Sequence, residues 1–252
     1  MTCAVSKIEG TWQQVEIDGK KADVYEPRTP ANPPRAVLHL HGHGLTTLTG
    51  NPAYSAEFER YGLRAVCPHG GRSWWLDLIS SEFDPHITPQ QFLIQQVVQY
   101  IAQRWGVAPP AIGLMGISMG GQGALQLAYR RPREFPVVAA ISPAIDFQNL
   151  CGRGLPLDQM FANRESARQY TATLQIHPLN WPRHQLIACD PQDTEWFDGA
   201  ERLTMKLSAT GIPFESDLET SNGGHGWDYF DAMAPKAVGF IAACLDQEAR
   251  RI

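Results

Sequence analysis

Apolar positions along the chain fall into two alternating kinds of stretch: short runs with the period of a strand and longer stripes with the period of a helix. TWQQVEID, a Gly-containing turn and KADVYEP read as an antiparallel hairpin. RAVLHLH (35–41) is a buried strand, and LRAVCP (63–68) is the next. Between them Asn51 caps a helix that has Pro52 at its first position and Gly62 at its end. Thr88-Pro89-Gln90-Gln91 is a capping box, and the helix it opens runs to Trp105 with Gly106 as its stop. The apolar stripe of that helix is Ile94, Val97, Val98, Ile101 and Trp105, the three-and-four spacing of a half-buried helix.

AIGLMGI (111–117) is a strand that runs straight into a helix from Met119 to Arg131, stopped by Pro132. PVVAAIS (136–142), HQLIACD (184–190) and PFESDLE (213–219) complete a set of eight strands, with helices expected over about 199–210 and 229–246. Strands alternating with helices predict the α/β class, here an eight-stranded, mostly parallel sheet flanked by helices. The chain shows no repeat and no linker, so residues 1–252 read as one domain. Segment 147–183, the least regular, with a Pro-Leu-Asn-Trp-Pro turn, is a candidate small cap.

Composition narrows the function classes. Hydrophobic residues make up 43% of 252 and charged residues 19%, which is globular and ordered. A net charge of −5 argues against a nucleic-acid partner. No apolar run is long enough for a bilayer, and MTCAVSKIEG lacks the pattern of a secretory signal. The five cysteines (Cys3, Cys67, Cys151, Cys189, Cys244) include no CxxC pair and read as reduced core thiols, which points to the cytoplasm.

The sharpest chemical signal is Gly116-Ile117-Ser118-Met119-Gly120. The five-residue pattern alone is weak, but here it sits between a strand and a helix, where a sharp turn exposes a serine as nucleophile. A serine hydroxyl needs a base, and an acid to orient that base, downstream in the order Ser, acid, His. His225 in SNGGHGWDYF lies between the last strand and the last helix, and CDPQD offers Asp193 and Asp190 as the acid, with Asp193 favoured. The oxyanion donors expected are the backbone N–H groups of Met119 and of His43, the latter in the loop His41-Gly42-His43-Gly44. A shared metal on His39, His41 and His43 is the competing reading; no carboxylate or Cys completes it, so neither metal nor cofactor is expected. Trp74, Trp75, Trp181, Trp196 and Trp227 fall near the same sheet edge. Trp74, Trp75, Trp196 and Trp227 are taken as substrate-binding walls, against the alternative that such rings pack loops onto the core.

GISMGGQGALQLAYRRPREF, the strand after it, and CDPQDTEWFDGAERLTMKLSATGIPFESDLETSNGGHGWDYF resemble the esterase D-like group of α/β-hydrolases over most of residues 35–245. In that family the acid region usually reads Cys-Gly-x-x-Asp, which maps the acid onto Asp193 and puts Asp190 in the glycine's place. The resemblance implies a serine carboxylesterase acting on a small-molecule ester without a cofactor. Its S-formylglutathione hydrolase members typically carry His where this chain has Ile117 and Gln122, a departure that points away from that thioesterase. Thioester or peptide hydrolysis and a non-catalytic binding role are the competing classes.

Overall fold

The structure is a computed structural model and describes residues 10–251; Cys3 lies outside the described residues. The opening runs form the hairpin β1 (Thr11–Ile17) and β2 (Lys20–Glu26), in register from Thr11↔Glu26 to Ile17↔Lys20. Its turn, Asp18-Gly19, is left-handed at both residues (φ 48° and 74°), which matches the twist of the strands it joins. β3 (Ala36–Leu40), α1 (Pro52–Tyr61) and β4 (Arg64–Pro68) follow. Asn51 caps α1 by accepting the N–H groups of Ala53 and Tyr54, and Gly62 ends it in the left-handed conformation.

The capping box at Thr88 and Gln91 is present, but the helix it opens is not uniform. α2 (Pro89–Phe92) passes into a π-helical segment, Leu93–Val97, and then α3 (Val98–Trp105). The buried Leu93, Val97 and Ile101 recur every four residues. In an α-helix that spacing drifts by about 40° per step, and the wider π turn takes up the drift. β5 (Ile112–Ile117), α4 (Met119–Arg130) and β6 (Val137–Ile141) follow. Segment 147–183 holds a 3₁₀ turn (Phe147–Leu150) and three short helices, α5 (Leu157–Met160), α6 (Arg164–Arg168) and α7 (Ala172–Gln175).

β7 (His184–Ala188), α8 (Phe197–Ala209) and β8 (Glu215–Asp217) complete the sheet. The last strand is shorter than 213–219 because it is an edge strand whose pairing with β7 ends after three residues. The final helix predicted over 229–246 is instead two, α9 (Trp227–Ala232) and α10 (Ala234–Ala249). Pro235 breaks it, having no N–H to give and no room for the carbonyl four residues before it.

The strand order is β1-β2-β4-β3-β5-β6-β7-β8, antiparallel at the hairpin end and parallel from β4 to β8, the architecture expected from the sequence. Every parallel strand therefore ends at one edge, and the loops there can meet. The sheet is covered on both faces. Tyr54 and Phe58 of α1 and Val238, Ile241 and Leu245 of α10 pack one face, while Ile101, Leu125 and Leu203 belong to the core on the other.

The three histidines after Leu38 do not converge on a common ligand. His39 is fully buried beside its strand neighbour Met115 and neither ring nitrogen has a partner among the described residues; burial, with a smaller push from His41, lowers its pKa to about 3. The His41 ring lies 2.8 Å from Gly42 O through Nδ1 and takes the Gly70 N–H at Nε2 (3.0 Å). Its tautomer is thus Nδ1–H, and the ring joins the loop after β3 to the loop after β4. Burial lowers its pKa to about 4. Among the described residues no group of three His, Cys, Asp or Glu is arranged to hold a metal.

These two rings make the fold acid-sensitive. Unfolded, each takes a proton below pH 6.5; folded, His39 stays neutral to about 3 and His41 to about 4. The unfolded state therefore binds more protons in that window, and stability falls as pH drops through it. Between pH 7 and pH 5 the loss is about 2 kcal/mol for each ring. Urea unfolding should show it, and His39→Leu should shrink it by about 2 kcal/mol; stability that is flat from pH 7 to 5 contradicts this.

Candidate active site

The turn from β5 into α4 is set by backbone contact. A Cβ on Gly116 would lie 2.1 Å from Gly120 O, and one on Gly120 would lie 1.9 Å from Leu40 O, so no larger residue fits at either position. Ser118 between them takes φ 57°, ψ −119°, a conformation that costs a non-glycine residue of order 1–3 kcal/mol. Three hydrogen bonds hold it there: its N–H donates to Ile141 O (2.9 Å), and its carbonyl accepts from Gln122 N (3.1 Å) and Ala144 N (3.0 Å). The hydroxyl is left at the carboxyl edge of the sheet.

Two other loops reach it. His225 Nε2 lies 2.9 Å from Ser118 Oγ, and His225 Nδ1 lies 2.7 Å from Asp193 Oδ2. Because a carboxylate only accepts, Nδ1 carries the proton and Nε2 is free to receive one from the serine. Asp193 is buried, with Oδ1 taking the N–H groups of Trp196 (3.1 Å) and Glu195 (3.3 Å) just before α8 and Oδ2 also taking the Cys189 thiol (3.7 Å). Of the two acids left open by the sequence, Asp193 meets the imidazole. Asp190 makes no contact with it and is spent on loop backbone instead. Burial pushes the Asp190 pKa up, but hydrogen bonds from Asn222, Gln192, Gly224 and Ser221 more than offset this and hold it below the usual carboxylate value.

The N–H groups of His43 and Met119 have no partner among the described residues. Met119 opens the twelve-residue α4, whose dipole favours an anion at that end. The loop of Gly42 runs directly past the serine, since a Cβ on Gly42 would lie 3.3 Å from Ser118 Cβ. A carboxylate, an imidazole and a hydroxyl therefore form one hydrogen-bonded chain, with the loop of His43 and the start of α4 beside the hydroxyl, an arrangement of the kind that can perform acyl transfer.

A cavity of about 470 Å³ opens over Ser118 and His225. Trp74, Trp196 and Trp227 line it, as do Leu150, Leu155 and Phe230. Trp75 does not. Trp74 and Trp75 both have positive φ (56° and 53°), and the chain turns so sharply that their rings part. Trp74 faces the cavity and stacks on Phe147 at 5.1 Å, whereas Trp75 is fully buried, donates its indole N–H to His41 O (3.0 Å) and packs on Gly123 of α4. Trp75 is a packing residue, not a substrate wall. Trp181 packs against the core and is not part of the lining.

The family model described as "Putative esterase" matches residues 20–241. The chain belongs to that family. It is 23% identical over 216 residues to the diacylglycerol acyltransferase/mycolyltransferase Ag85B of Mycobacterium intracellulare, a match covering 72% of this chain and spanning 65% of that relative's length. Among solved structures it resembles an S-formylglutathione hydrolase from Agrobacterium tumefaciens (TM-score 0.74, 18% identity, 94% of this chain and 96% of that one). It also resembles the fluorophosphonate-binding serine hydrolase FphF of Staphylococcus aureus (TM-score 0.74, 16% identity, 93% and 99%). These structural likenesses fix the α/β-hydrolase fold.

Within this esterase family frame, sequence reasoning missed Leu150, Leu155, Glu195 and Phe230 as lining residues. Phe230 had a signal: it stands three residues after Trp227, one helical turn on, and its ring meets His225 edge-on at 5.2 Å. Leu150 and Leu155 had none, since they belong to the irregular segment whose path follows from tertiary contacts. That segment is fastened to α4, where Gln122 Oε1 accepts the Ala172 N–H (2.8 Å) and the Gln126 amide donates to Tyr170 O.

The elbow packing sets a sharp stability test. Gly120→Ala should lower the unfolding free energy by more than about 3 kcal/mol or prevent folding, because its methyl meets rigid backbone. Gly44→Ala, with open space around it, should stay within about 0.5 kcal/mol. Equal stability of the two variants in thermal unfolding contradicts the packing argument.

Proposed function

We propose that this protein is a serine carboxylesterase that hydrolyses small or aromatic carboxylic esters through an acyl-enzyme, with Ser118, His225 and Asp193 as its triad. The observation that carries the reading is the unbroken hydrogen-bond chain Asp193–His225–Ser118 beneath an aromatic cavity. Ser118 Oγ attacks the ester carbonyl while its proton passes to His225 Nε2. The carbonyl oxygen becomes an anion and takes the N–H groups of Met119 and His43, a type of contact where each donor lowers the barrier by roughly 3–4 kcal/mol. The C–O bond then breaks, and His225 returns its proton to the leaving alkoxide. Water, activated by the now neutral His225, attacks the acyl-serine in the same way and releases the acid. Asp193 keeps Nδ1 protonated and stabilises the imidazolium at each step.

The cavity wall favours uncharged esters over a glutathione thioester. Among the described residues its lining contains no Lys or Arg, and its one carboxylate, Glu195, forms no ion pair. Arg72, whose charge reaches the His43 ring, is paired with Glu82 at 3.7 Å. His43 itself is held neutral, its pKa lowered by burial and by Arg72. The two carboxylates of a glutathionyl group would find no Lys or Arg among the described lining residues. Segment 147–183, fastened to α4, serves as a fixed cap that contributes Leu150 and Leu155 to the wall. Free Cys67, Cys151, Cys189 and Cys244 fit a reducing cytoplasm. No helix among the described residues is long and apolar enough to cross a membrane.

A fluorophosphonate should label the protein at Ser118 and leave Ser118→Ala unmodified, whereas a non-catalytic binding protein would not react. Asp193→Asn should cut kcat on p-nitrophenyl acetate by about 10⁴-fold, because the imidazole is left in the wrong tautomer. A kcat/KM for a glutathione thioester above that for neutral p-nitrophenyl esters would overturn the substrate assignment. Faster turnover of aminoacyl anilides would do the same in favour of a peptidase.

A further inference from the structure

The loop that presents His225 has no apolar anchor of its own. From Thr220 it reads Thr-Ser-Asn-Gly-Gly-His-Gly, with Ser221, Asn222 and Gly223 exposed and Gly223 and Gly224 at φ 86° and 76°. A segment of that composition has wide conformational freedom, and ordering it needs a fixed point. Asp217 holds the start of the loop at Thr220 and the Asn222 amide donates to Asp228 O (2.8 Å), but the backbone next to His225 is held by another carboxylate. Asp190, fully buried just after β7, accepts the Ser221 hydroxyl (2.8 Å) and the N–H groups of Gln192 (2.7 Å), Asn222 (2.6 Å) and Gly224 (2.9 Å). Three of those donors lie within four residues of His225. The loop also presses against the same turn through backbone, since a Cβ on Gly224 would lie 3.1 Å from Gln192 O.

That turn carries the acid as well. The Asp193 N–H donates to Asp190 O (2.9 Å), so the residue that orients His225 and the residue that fixes its loop are three positions apart on one short bend. We infer that Asp190 is a positioning residue: it holds the imidazole of His225 in register with Asp193 and Ser118, and does not touch substrate. The inference rests on the triad assigned above. No Lys or Arg pairs with Asp190 among the described residues, so a second carboxylate is buried close to Asp193 without a cation. Ending a strand does not require such a charge, and burying one is costly unless it is fully hydrogen-bonded. Its four donors satisfy that condition, and three of them are the loop.

The test uses the full chain with Asp190→Ala, Asp190→Asn and Ser221→Ala, read by steady-state kinetics on p-nitrophenyl acetate, thermal unfolding, and the low-field proton resonance of the His225 Nδ1–H···Asp193 bond. Misplacement of a catalytic group by about 1 Å can cost on the order of 10²-fold. D190A should therefore lower kcat by roughly 30- to 100-fold with KM within about threefold, and broaden the resonance beyond detection. In D190N the side-chain oxygen can still serve Asn222 and Gly224 and the amide can donate to Ser221 Oγ, but the amide also faces the Gln192 N–H, donor against donor, so that bond is lost; kcat should fall only severalfold and the resonance should persist, weakened. S221A, losing one bond, should stay near wild type. A folded D190A with kcat within threefold of wild type and an intact resonance overturns the inference, as does a loss of kcat with the resonance unchanged. If D190A does not fold, D190N decides: wild-type kcat and an unaltered resonance overturn it. A wild-type protein inactive on every ester would sink the esterase reading, while the resonance would still report whether Asp190 places His225.

Discussion

The structure turns on a contact between backbones, where α4 starts so close to the ends of β3 and β5 that only hydrogen fits at the Cα of residues 116 and 120. That contact forces Ser118 into its strained backbone conformation and leaves its hydroxyl with nowhere to go but the sheet edge. It also starts α4 directly after the serine, at Met119. The strain survives because cores on both faces of the sheet fix the strand and helix ends that impose it.

Around that corner, charge is arranged by burial. His39 and His41 are kept neutral inside the fold, and His43 at the cavity is pushed the same way, so none of the three adds a cation to the site. Two buried carboxylates lie on the bend after β7, each satisfied by donors from its surroundings: Asp193 by the backbone before α8 and the imidazole, Asp190 by the histidine loop. The low dielectric that makes such groups costly when unpaired also makes their hydrogen bonds strong and directional. Position is thereby conveyed from a rigid strand end to a glycine-rich loop.

Much of this was legible in the sequence because it follows from local rules. Asn51, Thr88 and Gln91 announce their caps, strand alternation gives the sheet, and Gly-x-Ser-x-Gly between a strand and a helix gives the elbow. Pro235 was equally visible, and the periodic stripe around it masked a break that its ring makes unavoidable. Other features depend on partners far away in the chain. The π segment keeps a four-residue repeat in the core, and nothing local distinguishes Trp74 from Trp75, whose rings are parted by two successive left-handed residues. The cavity wall from 147–183 depends on where α4 places two glutamines. The spacing CDPQD favoured Asp193 and kept Asp190 as the alternative; the path of the loop after β8 brings the ring to Asp193 and the loop backbone to Asp190.

The most direct measurement is a crystal structure of the covalent phosphonate adduct, an analogue of the tetrahedral intermediate. Phosphorus should be bonded to Ser118 Oγ, with one phosphoryl oxygen about 2.7–3.1 Å from both the His43 and Met119 nitrogens and His225 between Ser118 and Asp193. An adduct on another residue, or a phosphoryl oxygen turned away from both nitrogens, would contradict this arrangement.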